Sequence, residues 1–127
     1  MNIPEDLLYT ENHEWVQVID RVAYIGLSEY VQAALGEIVF VEMPELGEKV
    51  SKGNEILSIE SVKVAQGLIS PLSGIITNVN EVLEEEPERI NSDALGTFIY
   101  SVQISDMKEL DSLMSAEQYQ KFIDKLD

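Results

Sequence analysis

The sequence predicts a compact, mostly antiparallel β domain with a short internal helix and helices at its C-terminal end. Short runs rich in Val, Ile and aromatic residues are separated by turns that contain Gly, Pro and Asn, which is typical of strands. Near the end of the chain the apolar residues adopt the spacing of a helix. We therefore expect one domain over residues 1–127, with a β core at about residues 8–104 and a C-terminal helical segment at residues 105–127.

The predicted strands are rich in β-branched and aromatic residues and lack helical spacing. They lie at residues 16–27 (two strands around a turn at Asp20 and Arg21), 37–42, 55–62, 68–80 (two strands joined through Pro71 and Gly74) and 98–104. A short helix is predicted at residues 29–35, where Gly36 can end it. The glutamate-rich residues 84–88, interrupted by Pro87, predict a loop or a single helical turn.

The C-terminal segment predicts two helices. Residues 106–114 place Met107, Leu110, Leu113 and Met114 at helical spacing. Ser115 followed by Gln118 forms a capping-box pattern that opens a second helix through Leu126. Four residues form the apolar stripe of this helix, and we expect the stripe to pack on the sheet of its own domain. They are Tyr119, Phe122, Ile123 and Leu126.

The charge of the chain limits its partners. Twenty-four acidic residues against eight Lys and Arg give a net charge of −16. A surface of this sign repels phosphate backbones and anionic membranes, so we expect neither nucleic acid nor a membrane as a partner. It also favours encounter with basic protein surfaces.

Several functional classes are excluded or disfavoured by residues that the chain lacks. It has no cysteine and one histidine, His13, so disulfides, thiolate sites and a His-rich metal cluster are excluded. No apolar run approaches the ~20 residues of a membrane span. The acidic start of the chain does not match a signal or transit peptide, and we expect a cytoplasmic protein. Any thiol chemistry must come from an attached group.

Lys63 differs from the other lysines by its context. The other five lie beside turn glycines or on amphipathic helices, where a solvated charge is the ordinary interpretation; they are Lys49, Lys52, Lys108, Lys121 and Lys125. Lys63 instead lies between two predicted strands, with Val62 before it and Val64 after it. A central residue of a tight turn between antiparallel strands projects into solvent, where a modifying enzyme can reach it.

The segments around Lys63 carry a family resemblance. The chain reads Glu60-Ser61-Val62-Lys63, and Ser70-Pro71-Leu72-Ser73-Gly74 begins seven residues after the lysine. Other segments that carry the resemblance are Tyr9-Thr10, His13-Glu14-Trp15-Val16, Ile25-Gly26-Leu27, Ala34-Leu35-Gly36-Glu37-Ile38-Val39-Phe40-Val41-Glu42, Pro44-Glu45-Leu46-Gly47, Val79-Asn80-Glu81 and Ile90-Asn91. Along nearly its whole length the sequence resembles the H-protein family of the glycine cleavage system. Biotinyl domains usually have methionines beside the lysine, and Val62 and Val64 differ from that pattern.

The resemblance implies a lipoyl-domain-like barrel-sandwich hybrid with a short internal helix and C-terminal helices. Lipoic acid would be attached to Lys63 by a lipoate ligase or lipoyl transferase, with Glu60, Val62 and Val64 as the context of the lipoylation hairpin. Glu14 matches a family position in the cleft that holds the loaded arm, where a carboxylate can pair with a cationic amine.

The resemblance also implies a role in glycine catabolism and one-carbon metabolism as a non-catalytic carrier. The arm would accept an aminomethyl group from the pyridoxal-phosphate glycine decarboxylase and pass it to the aminomethyltransferase. Dihydrolipoamide dehydrogenase would then take the electrons. Tethering raises the effective concentration of the arm at each partner. A carrier that visits several active sites gains from being monomeric.

Two stretches depart from the family pattern. Gln66 and Gly67 stand where members often have a Ser-Asp pair, so an acidic cleft residue is absent from those positions. Before the last strand, family members usually have Pro, Tyr and Trp where this chain, one residue shorter, has Ala94, Leu95 and Phe98. These changes leave the lipoylation signal intact and bear on what the arm carries.

Three alternatives remain open at this stage. An H-like lipoyl carrier could serve another thiol, redox or sulfur-transfer pathway. An enzyme could use Glu14 or the glutamates at residues 84–86 as acid-base groups, although the usual catalytic constellations are absent. A structural interaction domain would leave Lys63 unmodified.

Overall fold

The computed structural model describes residues 1–126, apart from the side chain of Gln32. The strands, in chain order, are β1 (Leu8–Tyr9), β2 (Glu14–Ile19), β3 (Val22–Leu27), β4 (Ile38–Glu42), β5 (Lys49–Val50), β6 (Glu55–Ser61), β7 (Ala65–Ile69), β8 (Gly74–Val79) and β9 (Phe98–Ile104). The helices are α1 (Glu29–Leu35), α2 (Val82–Glu85), α3 (Arg89–Ser92), a 3₁₀ helix (Met107–Ser112) and α4 (Ala116–Asp124). The mostly β fold class predicted from the sequence is confirmed.

The strands form two antiparallel sheets. The larger sheet has the order β1-β2-β3-β9-β8-β5, and the smaller has the order β4-β6-β7. Within the described residues neither sheet closes on itself to form a barrel. All seven predicted strands are present, and the short strands β1 and β5 were not predicted. Two-residue strands carry too few side chains for a hydrophobic period to be visible in the sequence.

The main hydrophobic core lies between the two sheets. It joins side chains from β2, β3, β8 and β9 to side chains from β4, β6 and β7, because each sheet turns one apolar face inward. Its largest fully buried members include Ile25, Ile59, Ile76 and Ile99. The predicted short helix is confirmed as α1, and two of its residues, Val31 and Leu35, also pack into this core.

A second hydrophobic cluster attaches the C-terminal helix to the start of the chain. The rings of Tyr9 and Tyr119 stack with centroids 4.6 Å apart, and Ile123 is buried beside Trp15 in the same cluster. The predicted capping box is present, since Ser115 and Gln118 exchange side-chain to backbone hydrogen bonds of 2.8 and 3.1 Å. The predicted stripe therefore packs on its own domain, although its last residue, Leu126, is exposed.

The segment at residues 106–114 is helical, as predicted. It forms a 3₁₀ helix at Met107–Ser112. The Asp106 side chain accepts a hydrogen bond from the Lys108 amide at 3.0 Å, and this short cap tightens the first turn.

The predicted glutamate turn is confirmed as α2, a single turn at Val82–Glu85. No helix among residues 1–126 combines the length and apolar character that a membrane span requires.

Gly74 is required by close packing between strands. It lies between Val50 of β5 and Ile104 of β9. A Cβ atom at this position would collide with the Gln103 carbonyl oxygen and lie 2.7 Å from Cγ1 of Val102. We expect Gly74→Ala to lower the free energy of unfolding by about 3 kcal/mol, because backbone must move to admit the methyl group.

Urea unfolding of Gly74→Ala against the parent chain measures this loss. Asn78→Ala, at an exposed position of the same strand, is the matched control and should change stability by no more than about 0.5 kcal/mol. Equal urea-unfolding midpoints for Gly74→Ala and the parent chain would contradict the requirement for close packing at Gly74.

Candidate functional site

Lys63 lies at the tip of the hairpin formed by β6 and β7. The Ser61 amide donates to the Val64 carbonyl at 2.8 Å and closes the turn, with Val62 and Lys63 in its two central positions. The Ser61 hydroxyl oxygen accepts hydrogen bonds from the amides of Lys63 and Val64, both at 3.1 Å. The Lys63 side chain is exposed. The sequence reasoning placed Lys63 in a turn but missed Ser61, whose local hydrogen bonds are typical of turn serines.

The base of the hairpin tip is held by the segment between α1 and β4. The Val62 amide donates to the Glu37 carbonyl at 3.0 Å. The Asn91 side chain donates to the Gly36 carbonyl and accepts from the Ile38 amide, both at 2.8 Å. Backbone groups on either side of residue 37 are therefore tied to α3, and the tip extends from a well-supported base.

Lys63 takes part in no ion pair with the described residues. The ion pairs within 4 Å among residues 1–126 are Arg89 with Glu86 and Lys121 with Glu117. The aliphatic part of the Lys63 side chain passes over Gly36, where a Cβ atom would lie 3.5 Å from Cε. The amine at the end of this side chain is thus available to a modifying enzyme.

A narrow cleft lies between the hairpin and α1. Its volume is about 50 Å³. Apolar side chains form most of its walls, and they are Leu27, Val31, Ala34, Leu35, Ile59 and Leu68. Three polar residues, Asn12, His13 and Gln66, complete the lining. We call this site the α1 cleft, and its apolar walls suit an aliphatic chain better than a charged ligand.

His13 joins the α1 cleft to the C-terminal helix. Its Nδ1 atom lies 2.9 Å from the Tyr119 hydroxyl, which in turn lies 2.6 Å from the Ser28 hydroxyl. The imidazole also stacks on Tyr30, with ring centroids 4.2 Å apart. Burial lowers the pKa of His13 below its ordinary value, so the ring is neutral at pH 7. A neutral ring at the cleft lining can accept or donate one hydrogen bond without bringing in a charge.

Glu14 is opposite Leu27, a wall residue of the α1 cleft, in the β2–β3 pairing, and it is 1% exposed. Its Oε1 atom accepts a hydrogen bond from the Thr10 hydroxyl at 3.0 Å, while Oε2 has no partner among the described residues. Burial raises the pKa of Glu14 to about 8, and the hydrogen bond from Thr10 opposes this rise. The carboxyl is therefore mostly protonated at pH 7, unlike the surface acids of this chain.

Tyr100 is a second buried polar group near Glu14. Its hydroxyl has no partner of good hydrogen-bond geometry among the described residues, although the Ser70 side chain lies close enough to interact with it. Burial, and the nearby Glu14 carboxylate, raise the pKa of Tyr100 well above its ordinary value, and the interaction with Ser70 opposes this rise. Ionising Glu14 is therefore unfavourable unless a cation or a hydrogen-bond donor reaches its free oxygen.

Among residues 1–126 no three His, Asp or Glu side chains are grouped to hold a metal ion.

Comparison with known proteins decides the family. The family model for the glycine cleavage H-protein matches residues 7–126. The chain belongs to the glycine cleavage H-protein family. A glycine cleavage system H protein of Alcanivorax borkumensis is 47% identical over 123 residues, which are 96% of each chain. Another from Clostridium botulinum (strain Loch Maree / Type A3) is 44% identical over 127 residues, covering 100% of this chain and 98% of the relative.

A solved structure from the same family has the same fold. The glycine cleavage system H protein of Mycobacterium marinum superposes with a TM-score of 0.86 at 36% identity, over 94% of this chain and 97% of that one. The similarity of this chain to the H-protein family, recognised from its motifs, is therefore confirmed. Members of the H-protein family are lipoyl carriers in glycine cleavage, and these relatives support that general role for the chain.

The altered stretch before the last strand lies in the core and does not line the α1 cleft. The Trp15 indole donates to the Ala94 carbonyl at 3.0 Å. Phe98 meets Tyr24 edge to face at 5.5 Å, and Leu95 packs on the same second cluster. The departure of this stretch from the H-protein pattern is therefore a change in packing, at a distance from the cleft lining.

The other departure from the H-protein pattern does reach the site. Gln66 lines the α1 cleft and lies opposite Ile59 in the β6–β7 pairing. The Glu55 side chain occupies the space beside Gly67, because a Cβ atom at Gly67 would collide with its carboxylate. An acid therefore lies over residue 67, supplied by the neighbouring strand. The sequence alone did not predict the contact of Glu55 with Gly67, because these residues are distant in the chain.

Proposed function

We propose that this chain is the lipoyl carrier of glycine cleavage and that Lys63 is its attachment residue for lipoic acid. The observation that supports the proposal most directly is the exposed Lys63 amine at the tip of a turn closed by Ser61. A carrier needs a reachable amine on a base that does not move with the arm, and the hydrogen bonds of this turn meet that need. When bound, the lipoyl group supplies a dithiolane that can take up a cargo group together with two electrons and later be reoxidised.

The residues around Lys63 have distinct proposed roles. Glu60, Val62 and Val64 present the lysine to the enzyme that modifies it, since all three are exposed beside the tip. At about 50 Å³ the α1 cleft is too small to enclose the arm, so α1 and the hairpin would have to separate before its apolar walls could shield the arm from water.

Glu14 is the proposed partner of a cationic amine at the inner end of the cleft. Its free Oε2 atom lacks a donor, and an ammonium group would satisfy it. The carboxyl is held protonated by burial, so Glu14 must release its proton when it pairs with a cation. Because Glu14 is buried and is not among the residues that line the α1 cleft, the lining must shift to admit the amine.

The proposed partners are those of the shuttle cycle. The chain would take an aminomethyl group on lipoyl-Lys63 from glycine decarboxylase, deliver it to aminomethyltransferase, and then give electrons to dihydrolipoamide dehydrogenase. A lipoate ligase or lipoyl transferase would load Lys63 beforehand. The chain contributes no catalytic group in this proposal and acts as a cytoplasmic monomer.

Two measurements test the proposed function. Intact mass after incubation with lipoate ligase, lipoate and ATP should increase by a single lipoyl group. The lipoylated chain should then support glycine-dependent exchange of labelled CO2 by the decarboxylase, while the unlipoylated chain should not. An unchanged mass would contradict the attachment, and a lipoylated chain without exchange activity would contradict the glycine cleavage role.

A second carrier function has one observation in its favour. Gly67 lacks the side chain that the family pattern places in the cleft, and the acid that lies over it comes from Glu55. An H-like carrier for another thiol, redox or sulfur-transfer pathway would tolerate this change. Such a carrier would be lipoylated on Lys63 and reoxidised by dihydrolipoamide dehydrogenase, yet would fail in the exchange assay.

A further inference from the structure

The Lys63 side chain leaves the hairpin tip over Gly36, the residue that follows α1. A Cβ atom at Gly36 would lie 3.5 Å from Cε of Lys63 and 3.9 Å from Cδ. Gly36 has a φ of 75°, a left-handed conformation that disfavours a side chain at this position. The stem of the lysine therefore crosses a bare stretch of backbone, and any group attached to the amine begins beside Gly36.

An open groove extends from Gly36 to α3. Its volume is about 470 Å³, and it is lined by Gly36, Glu37, Glu88, Asn91 and Ser92. We call it the α3 groove. The Asn91 side chain holds its two sides together, since it donates to the Gly36 carbonyl and accepts from the Ile38 amide, both at 2.8 Å. The α3 groove is therefore formed by segments that are tied to each other.

Size distinguishes the α3 groove from the α1 cleft. Pockets that take up small organic ligands have volumes of about 300–1,000 Å³. The α1 cleft, at about 50 Å³, is far below this range, whereas the α3 groove lies within it. Of the two sites beside Lys63, the α3 groove is the one with room for a lipoyl group.

The lining of the α3 groove suits the arm of an acylated lysine. Acylation replaces the ammonium with an uncharged amide, which offers one N–H donor and one carbonyl acceptor. The exposed carboxylates of Glu37 and Glu88 can accept from the N–H, and the exposed Ser92 hydroxyl can donate to the carbonyl. The aliphatic part of the arm can lie against the backbone of Gly36 and the CH₂ groups of the two glutamates, which removes apolar surface from water.

We propose that the α3 groove is the resting site of the oxidised, unloaded lipoyl arm on Lys63. The proposal rests on the proposed carrier function. Tethering singles out the occupant, because an arm fixed at Lys63 is held at the edge of the groove at an effective concentration of about millimolar or above. An arm in the α3 groove leaves the α1 cleft closed, with Glu14 buried. A cationic cargo reaches Glu14 after the arm has left the groove and the α1 cleft has opened.

Because the chain has no cysteine, disulfide trapping can test the proposal directly. Ser92→Cys is prepared with the oxidised lipoyl group on Lys63. The cysteine thiolate attacks one sulfur of the dithiolane, so the ring S–S bond breaks and a new S–S bond joins the arm to residue 92. The second lipoyl sulfur leaves as a thiolate and takes up the proton, and the exchange needs no added oxidant. Alkylation with N-ethylmaleimide followed by proteolysis identifies the linked peptides.

Two further variants place the cysteine elsewhere around the tip. Ala34→Cys lies in the wall of the α1 cleft, and Phe40→Cys lies on the exposed face of β4, opposite Glu60. Each trapping rate is divided by the rate at which free lipoamide reacts with the same cysteine in a Lys63→Arg chain, which corrects for differences in thiol pKa. We expect the corrected rate at residue 92 to exceed those at residues 34 and 40 about tenfold. Equal melting temperatures show that all variants are folded.

A second measurement uses the parent chain and needs no variant. Amide ¹H–¹⁵N spectra of the unlipoylated and the oxidised, lipoylated chain are compared. We expect lipoylation to shift the amides of Gly36, Glu37 and Ser92 in addition to those of the hairpin tip. Amides in the wall of the α1 cleft, at Leu27 and Leu68, should stay in place.

Three results would overturn the proposal. Faster corrected trapping at residue 34 would place the resting arm in the α1 cleft, and equal rates at all three positions would mean an arm free in solvent. Amide shifts confined to residues 61–65 would also contradict it. Failure of the proposed function has a different signature. A chain that gains no lipoyl group rejects both proposals, whereas a lipoylated chain that traps at residue 92 without exchange activity keeps the resting site and rejects glycine cleavage.

Discussion

Lys63→Arg is expected to abolish lipoylation and every activity that depends on it. Arginine keeps the positive charge and the length of the side chain, but its guanidinium is not an acceptor for amide formation with lipoate. The turn should persist, because Ser61 bonds to the backbone amides of residues 63 and 64 and not to the lysine side chain. Intact mass after treatment with lipoate ligase should therefore stay at the unmodified value, and glycine-dependent CO2 exchange should fall to background.

Lys52→Arg is the matched control for this experiment. Lys52 is also an exposed lysine in a turn, and its Nζ atom donates to the Ser112 hydroxyl at 2.7 Å, a bond that arginine can replace. This variant should gain one lipoyl group and keep full exchange activity. Lipoylation that persists in Lys63→Arg would place the modification elsewhere and reject Lys63 as the carrier residue.

Glu14→Gln is expected to remove a pH dependence of stability. The pKa of the Glu14 carboxyl is about 8 in the folded chain. The ordinary pKa of a glutamate, which applies to the unfolded chain, is 4.5. Between these pH values the folded state binds more protons than the unfolded state, so the contribution of Glu14 to the free energy of unfolding falls as pH rises. Glutamine can keep the hydrogen bond from Thr10 and has no proton to lose. The variant should thus be more stable than the parent chain at pH 8, by on the order of 3 kcal/mol.

Urea unfolding at pH 5, 6.5 and 8 measures this effect. The quantity to compare is the difference in free energy of unfolding between Glu14→Gln and the parent chain, because repulsion among the other acids is common to both proteins and cancels. The difference should be small at pH 5 and grow toward pH 8. Glu11→Gln, the same change at an exposed position three residues earlier, should follow the parent chain at every pH. Parallel curves for Glu14→Gln and the parent chain would mean that Glu14 titrates like a surface acid.

Much of the fold could be predicted because its determinants are local. The β9 strand matches the prediction residue for residue at Phe98–Ile104, and the capping box at Ser115 starts the last helix as expected. Hydrophobic period, turn glycines and caps act within a few residues, so they are visible in one dimension. A helix was predicted near residues 107–112, but its 3₁₀ type was not, since the apolar spacing suits either kind of helix.

The candidate site was only partly predictable. Lys63 stood out from its neighbours in the chain, and the structure places it at the hairpin tip. Glu14 could be selected by its position in the family pattern, but its burial and raised pKa could not be read from the sequence. Neither could the carboxylate of Glu55 over Gly67, because cross-strand neighbours depend on the register of pairing.

The sequence by itself determined the family, the order of most elements and the lysine that we propose as the lipoyl attachment residue, because each depends on short segments read in order. Only the tertiary structure decided how the surface near that lysine is arranged. In β4, Val39 is an extra residue in a β-bulge, and both Val39 and Phe40 are exposed, because β4 pairs with β6 in one particular register. The raised pKa of Glu14 likewise exists because the two sheets and their loops exclude water from its carboxyl. Both are effects of residues distant in the chain that become neighbours on folding.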